Sequence, residues 1–163
     1  MYELFNIKDK VIVITGGTGV LGTSMVEYLA AHGAKVAVLA RNKEKGDQLT
    51  AKVKAAGGQA MFLHTDVSDE AVLQQNARDI VAAYGKIDVL INGAGGNMPG
   101  ATIGPNNNIF DLKMDDFRKV VDLNLMGTVI PSVVFAEYMV EQKMGNIINV
   151  SSASALRPLT RVA

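Results

Sequence analysis

Apolar positions along this chain follow two rhythms. Short continuous runs of β-branched and aliphatic residues, VIVIT (11–15), KVAVLA (35–40), AMFLHT (60–65), IDVLIN (87–92) and NIINVS (146–151), predict five strands. Between them the spacing turns helical. Leu21, Met25, Tyr28, Leu29 and His32 share one helical face, which Gly33 ends. Residues 43–56 predict a second helix, stopped by Gly57 and Gly58. Ser68 or Asp69 caps a third, with a stripe of Leu73, Ala77, Ile80, Val81 and Tyr84 and a stop at Gly85. A long helical region from about 115 to 143 is expected to bend near Gly127 and Pro131.

Continuous apolar strands are buried on both faces, and helices between them force parallel pairing with right-handed crossovers. The expected fold class is α/β, a doubly wound parallel sheet in a three-layer α/β/α sandwich. A length of 163 residues fits one domain, 1–163, with no repeat or linker visible. One stretch breaks the pattern. In GAGGNMPGATIGPNNNIF (93–110), eleven of eighteen residues are Gly, Asn or Pro. A loop that long with no structure of its own is a functional candidate, and this one leaves the carboxyl end of a strand.

Composition narrows the function classes. Lys+Arg and Asp+Glu both number 16, so the net charge is zero, which argues against nucleic acid held by a basic surface. There is no cysteine, which excludes disulfides, thiolate catalysis and cysteine-based zinc sites; no metal site is expected. The start has no basic segment leading into an apolar stretch, so no signal peptide is expected. The most apolar long window, Leu123 to Val140, carries Asn124, Pro131 and Glu137 and reads as a buried helix, not a membrane span. A cytoplasmic location is the default expectation.

Candidate chemistry begins with TGGTGVLG (15–22), between the first strand and the first helix. Gly17, Gly19 and Gly22 satisfy G-x-G-x-x-G in the strand–turn–helix setting where that pattern binds a dinucleotide pyrophosphate. Thr15, Gly16, Thr18, Val20 and Leu21 complete the candidate cofactor segment of this Rossmann-type fold. At the end of the second strand the sequence reads VLARN. No acid stands there for a ribose 2′-hydroxyl, and Arg41 suits a 2′-phosphate, so NADP(H) is favoured over NAD(H).

With these residues the chain resembles a short-chain dehydrogenase/reductase from about residue 7 onward. TGGTGVLG resembles the family's glycine motif. HTDVSD (64–69) resembles its third-strand end, which places Asp66 and Val67 beside the adenine. LINGAG (90–95) resembles its Asn-Asn-Ala-Gly motif and adds Asn92, Gly93, Ala94 and Gly95 to the cofactor set. VDLNLMG (121–127) places the catalytic asparagine at Asn124, and IINVSS (147–152) places the catalytic serine at Ser152. Two departures lie inside the match: Val20 stands where the middle glycine is usual, with Gly19 one position earlier, and Gly93 replaces the second asparagine. A third is larger. The family's Tyr-x-x-x-Lys motif lies about thirteen residues past the serine, and none of Tyr2, Tyr28, Tyr84 and Tyr138 has Lys four residues on. The resemblance therefore implies a fold truncated after the fifth strand, and a chain that as it stands is inactive.

The resemblance implies hydride exchange between nicotinamide and a carbonyl or secondary alcohol. The missing tyrosine would exchange the proton. The serine hydrogen-bonds the substrate oxygen, and the asparagine holds a water. SSASALRPLTRV (151–162) with NGAGGN (92–97) looks most like the D-mannonate/fructuronate oxidoreductase branch, implying a hydroxy or keto sugar acid. Arg157, Arg161 and Asn97 are the candidate substrate contacts, since an arginine can clamp a carboxylate bidentately. A homo-oligomer, dimer or tetramer, is expected, because an apolar edge at the fifth strand invites pairing. Two other readings stay open: a dinucleotide sensor that has lost catalysis, and an extended-type sugar-nucleotide epimerase or dehydratase.

Overall fold

The computed structural model describes residues 5–157. Five parallel strands form one sheet in the order β3-β2-β1-β4-β5: β1 Val11–Thr15, β2 Lys35–Ala40, β3 Gln59–His64, β4 Val89–Asn92 and β5 Asn146–Asn149. The chain winds outward from β1 to β3, then returns to the other side of β1 for β4. That reversal is the switch point where open α/β sheets bind ligands. The helices are α1 Val20–Ala31, α2 Lys43–Ala55, α3 Glu70–Tyr84, α4 Met114–Val121 and α5 Gly127–Glu141.

Two apolar layers hold the helices to the sheet. On one side Ile12, Ile14, Val36 and Val38 meet Val26 and Ala30 of α1 and Leu49 and Val53 of α2. On the other Val11, Val13, Ala37 and Leu39 meet Leu73, Ala77 and Ile80 of α3 and Val134, Phe135 and Met139 of α5. Odd and even strand residues divide between the layers, as the period of two requires. The doubly wound, three-layer expectation holds.

Several boundaries and faces differ from the sequence reading. The strand expected over 87–92 begins at Val89, because the Gln142 side chain takes both backbone groups of Ile87. The strand expected over 60–65 is shifted by one residue, and that expected over 146–151 ends at Asn149. On α1 the buried line is Gly22, Val26 and Ala30, while Leu21 and Tyr28 are exposed. Small residues win because the helix lies close to the sheet.

The long helical region is continuous from Met114 to Glu141, but its irregularity precedes Gly127: residues Asp122–Met126 form a π-helical segment. Its length and apolarity would allow a membrane crossing. Val134, Phe135 and Met139 nevertheless lie buried against the sheet, while Val129, Val133 and Val140 are exposed. The helix expected to be buried is thus buried along one face. The 93–110 stretch is not structureless either. It folds as two short 3₁₀ turns, Pro99–Ala101 and Ile109–Asp111, the second closed by an Asn108–Asp111 capping box. The Asp116 carboxylate on α4 accepts from the Gly100 amide at 3.2 Å.

Candidate functional site

At the carboxyl ends of β1, β2, β3 and β4 lies a cavity of about 480 Å³. Nine of the candidate residues line it: Gly16, Thr18, Gly19, Arg41, Asp66, Val67, Gly93, Ala94 and Gly95. Leu39, Ala40, Asn42, Thr65 and Leu123 also line it.

The glycine loop is built for close approach. Gly16 has φ +67°, and a Cβ there would stand 2.7 Å from the Gly93 carbonyl oxygen. The left-handed turn thus falls at Gly16, ahead of the three motif glycines. A Cβ on Gly17 would meet Val38 Cγ1 at 2.8 Å, and one on Gly22 would collide with the Gly16 carbonyl. At Gly19 the nearest obstacle is 3.2 Å away, so that glycine's backbone can meet a ligand. Gly19 precedes the first turn of α1, where no side chain caps the helix among the described residues. Free amides and the positive end of the helix dipole are left facing outward, which favours an anion. Val20 and Leu21 are exposed on that first turn, outside the cavity lining.

Side chains at the strand ends fix the far wall. Thr15 Oγ1, fully buried, accepts from the amides of Gly93 (3.1 Å) and Ala94 (3.2 Å). Asn92 donates through Nδ2 to Ser132 Oγ and to Asn149 Oδ1, both at 2.9 Å, and its own Oδ1 is buried without a partner among the described residues. Asn124, inside the π-helical segment, donates to the carbonyls of Gly96 (2.7 Å) and Val120 (2.8 Å) and accepts from the Gly96 amide at 3.1 Å. Gly95 must lack a side chain for this, since a Cβ would stand 2.8 Å from Asn124 Oδ1.

Charge is arranged along the outer rim. Asp66 Oδ1 accepts from the Ser68 amide (3.0 Å) and hydroxyl (2.7 Å). The Ser68 amide, then the Ser68 hydroxyl, with smaller contributions from Arg41 and His64, hold the Asp66 carboxyl below its usual value. Arg41 is exposed and meets no carboxylate at ion-pair distance among the described residues. Its cation is available to a ligand.

The catalytic candidates are less gathered. Ser152 lies three residues beyond β5 and caps a 3₁₀ turn, Ala153–Ala155. Its Oγ accepts from the Ser154 amide and donates to Ser154 Oγ, both at 3.1 Å. Asn97 donates to Thr102 Oγ1 at 3.0 Å. Arg157 is exposed, and Arg161 lies outside the described residues. Neither Ser152, Asn97, Arg157 nor Asn124 lines the cavity. Among the described residues no group of three His, Asp or Glu side chains could hold a metal.

Residues 10–163 match the model of the short-chain dehydrogenase family. The chain belongs to that family. It is 40% identical over 96% of its length to the uncharacterised oxidoreductase UxuB of Bacillus subtilis, and 35% identical over 96% to an uncharacterised oxidoreductase of Haemophilus influenzae. It spans 59% of the length of each of these relatives. Among solved structures, a Haemophilus protein provisionally described as a D-mannonate oxidoreductase, with bound NAD, aligns at a TM-score of 0.90 and 35% identity, over 96% of this chain and 60% of that one. A metagenomic short-chain oxidoreductase in complex with NADP aligns at 0.85 and 29% identity, over 97% of this chain and 69% of that one. The likeness to the mannonate oxidoreductase branch stands on these relatives.

Proposed function

We propose that this chain carries the dinucleotide-binding part of an NAD(P)-dependent short-chain oxidoreductase acting on a carbonyl or secondary alcohol of a hydroxy or keto sugar acid. The observation that carries this reading is the cavity at the switch point, walled by a glycine loop on one side and Gly93–Gly95 on the other, with Arg41 and Asp66 on its rim. A nicotinamide dinucleotide, when bound, supplies the hydride acceptor or donor. The residues fit such a group. Gly16, Gly17 and Gly22 admit no Cβ without displacement of a neighbour, while Gly19 leaves its backbone open beside the amides of α1. The Asp66 carboxyl, held below its usual value by the Ser68 hydrogen bonds, would accept from an adenine amine, and Arg41 would offer a guanidinium to a 2′-phosphate. NADP(H) is therefore the favoured cofactor, with NAD(H) as the alternative that the NAD-bound Haemophilus neighbour supports.

On the substrate side, Ser152 donates to the substrate oxygen after releasing Ser154. Asn124 keeps the Gly95–Gly96 turn in place at the cavity's edge. Arg157 with Asn97 takes the carboxylate of the sugar acid. A homo-oligomer, in the cytoplasm, belongs to the same reading; what supports self-association is β5, where Ile147 and Ile148 stand exposed.

One observation favours a second reading, a dinucleotide binder without turnover: the Ser152 hydroxyl is occupied by its own turn. Fluorescence titration with NADPH tests what both readings share. Saturable binding, reversed by 2′,5′-ADP, is the expected outcome, and no binding at millimolar ligand sinks both.

A further inference from the structure

Helix α3 turns four buried residues inward: Leu73, Asn76, Ala77 and Ile80. Three are apolar, as a core stripe requires. Asn76 is the exception, and at 6% exposure it too is buried. A buried amide costs free energy unless it is hydrogen-bonded, and a leucine here would serve the core better. Among the described residues its side chain makes one hydrogen bond: Nδ2 donates to Thr65 Oγ1 at 2.7 Å, across eleven residues of chain.

Thr65 is the residue on which the cavity wall turns. Its amide donates to the Ala40 carbonyl at 3.0 Å, extending the β2–β3 ladder one step past His64. Its hydroxyl donates to the Leu63 carbonyl at 2.9 Å, so Oγ1 can only accept from Asn76. Asp66 and Val67 follow at once and line the cavity with it. Val67 is seated against Gly127 of α5, where a Cβ would come within 2.7 Å of Val67 Cγ2. The wall is held by β2 and α5 at its two ends, and by Asn76 at Thr65, where the strand gives way to the turn.

We infer that Asn76 is a positioning residue: through Thr65 it sets where the Asp66 carboxylate stands, and so how strongly the cavity selects an adenine base. The inference rests on the dinucleotide reading above. The donor chemistry defines what selection means. An adenine presents an amine to Asp66. A hypoxanthine presents a carbonyl oxygen at the same place, which a carboxylate repels.

The test uses the 163-residue chain and two fluorescent probes, NADPH and its hypoxanthine counterpart. The wild-type chain is expected to bind NADPH at least about tenfold more tightly, the scale of one hydrogen bond to a charged group. Asn76→Leu, similar in volume, is expected to bring that ratio below about threefold, with the melting temperature within a few degrees of wild type. Thr65→Val breaks the same bond from its other end and is expected to lower the ratio likewise; should Asn76→Leu fail to fold, Thr65→Val decides. If the variants weaken both probes equally, or leave the ratio unchanged, Asn76 serves the core alone and the inference falls while the dinucleotide reading stands. Equal wild-type binding of the two probes also overturns it. A wild-type chain that binds neither probe overturns the dinucleotide reading itself.

Discussion

The adenosine side and the serine side of this molecule are built to different standards. β1 is buried at all five positions and β2 at five of six, and the polar groups around Thr15, Thr65 and Asp66 are each held by a neighbour from another segment or a tight turn. β5 is exposed at all four of its positions, and among the described residues Ser152, Asn97 and Arg157 make only local hydrogen bonds. The groove is preorganised by long-range contacts, Thr15 to Gly93 and Ala94 and Asn76 to Thr65. A site whose residues answer only to their own turns gains its geometry from something else, whether ligand, further chain or partner.

The strongest way to break this contrast is to find catalysis. No keto-acid reduction by the 163-residue chain is expected in an NADPH absorbance assay, because the Ser152 hydroxyl is held by its own turn, and a proton-transfer group out of position costs on the order of 10²–10⁴ in rate. Measurable turnover would mean that the serine side is ordered for chemistry as it stands. The adenosine side should fail next most sharply. Gly22→Ala puts a Cβ into the Gly16 carbonyl, and overpacking of this kind costs about 1–3 kcal/mol. The expected result is a lowered melting temperature and at least about a tenfold loss of NADPH affinity, whereas Ser152→Ala should leave both unchanged.

A finer cut comes from Arg41→Ala. It should weaken NADPH binding about tenfold, the scale of one charge-assisted hydrogen bond, and leave NADH within about twofold. A preference for NADPH that survives the substitution would remove Arg41 from the rim's function.

The smallest effect concerns the seam where the two sides join. Asp88 Oδ2 accepts from the Val11 amide at 2.8 Å, and Lys86 and Lys10 approach the carboxylate at 2.9 and 3.5 Å. Burial pushes this carboxyl up, but the Val11 hydrogen bond and the Lys86 and Lys10 charges outweigh burial and hold it below 3.8, the ordinary value. A carboxyl depressed on folding adds stability above its unfolded value and loses it as pH falls through the folded one. Urea midpoints should therefore fall from pH 5 toward pH 3 more steeply in wild type than in Asp88→Asn. That variant keeps an acceptor for the Val11 amide and should lose only about 1 kcal/mol at pH 7, through the charge it no longer offers to Lys86 and Lys10. Identical pH slopes would show that the seam does not titrate.

What the sequence made legible was whatever repeats or punctuates. β1 and β2 were readable to the residue because a strand buried on both faces has no polar interruption. The glycine loop was readable because close backbone approach leaves glycine as the only choice. Hydrophobicity misled where size mattered more: it pointed to Leu21 and Tyr28 on α1, although the helix lies close enough to the sheet to bury Gly22 and Ala30. It could not find Asn76, which a periodic apolar stripe skips by definition. Nor could it show that Ser152 caps its own turn or that Gln142 delays the start of β4, since both follow from where a side chain happens to meet backbone.

The π-helical segment at Asp122–Met126 acts as a phase shifter. An α-helix advances about 100° per residue, so one residue of extra winding rotates everything beyond it relative to everything before. Asn124 can thus face the Gly96 turn while Val134, Phe135 and Met139, on the same continuous rod, face the sheet. An unbroken α-helix has one azimuth to give and would have to choose. Deleting a single residue between 122 and 126 should restore ordinary winding, swing Asn124 off Gly96, and leave the turn over the cavity without its clasp. Its hydrogen-exchange protection would then drop while that of β1 and β2 stays put.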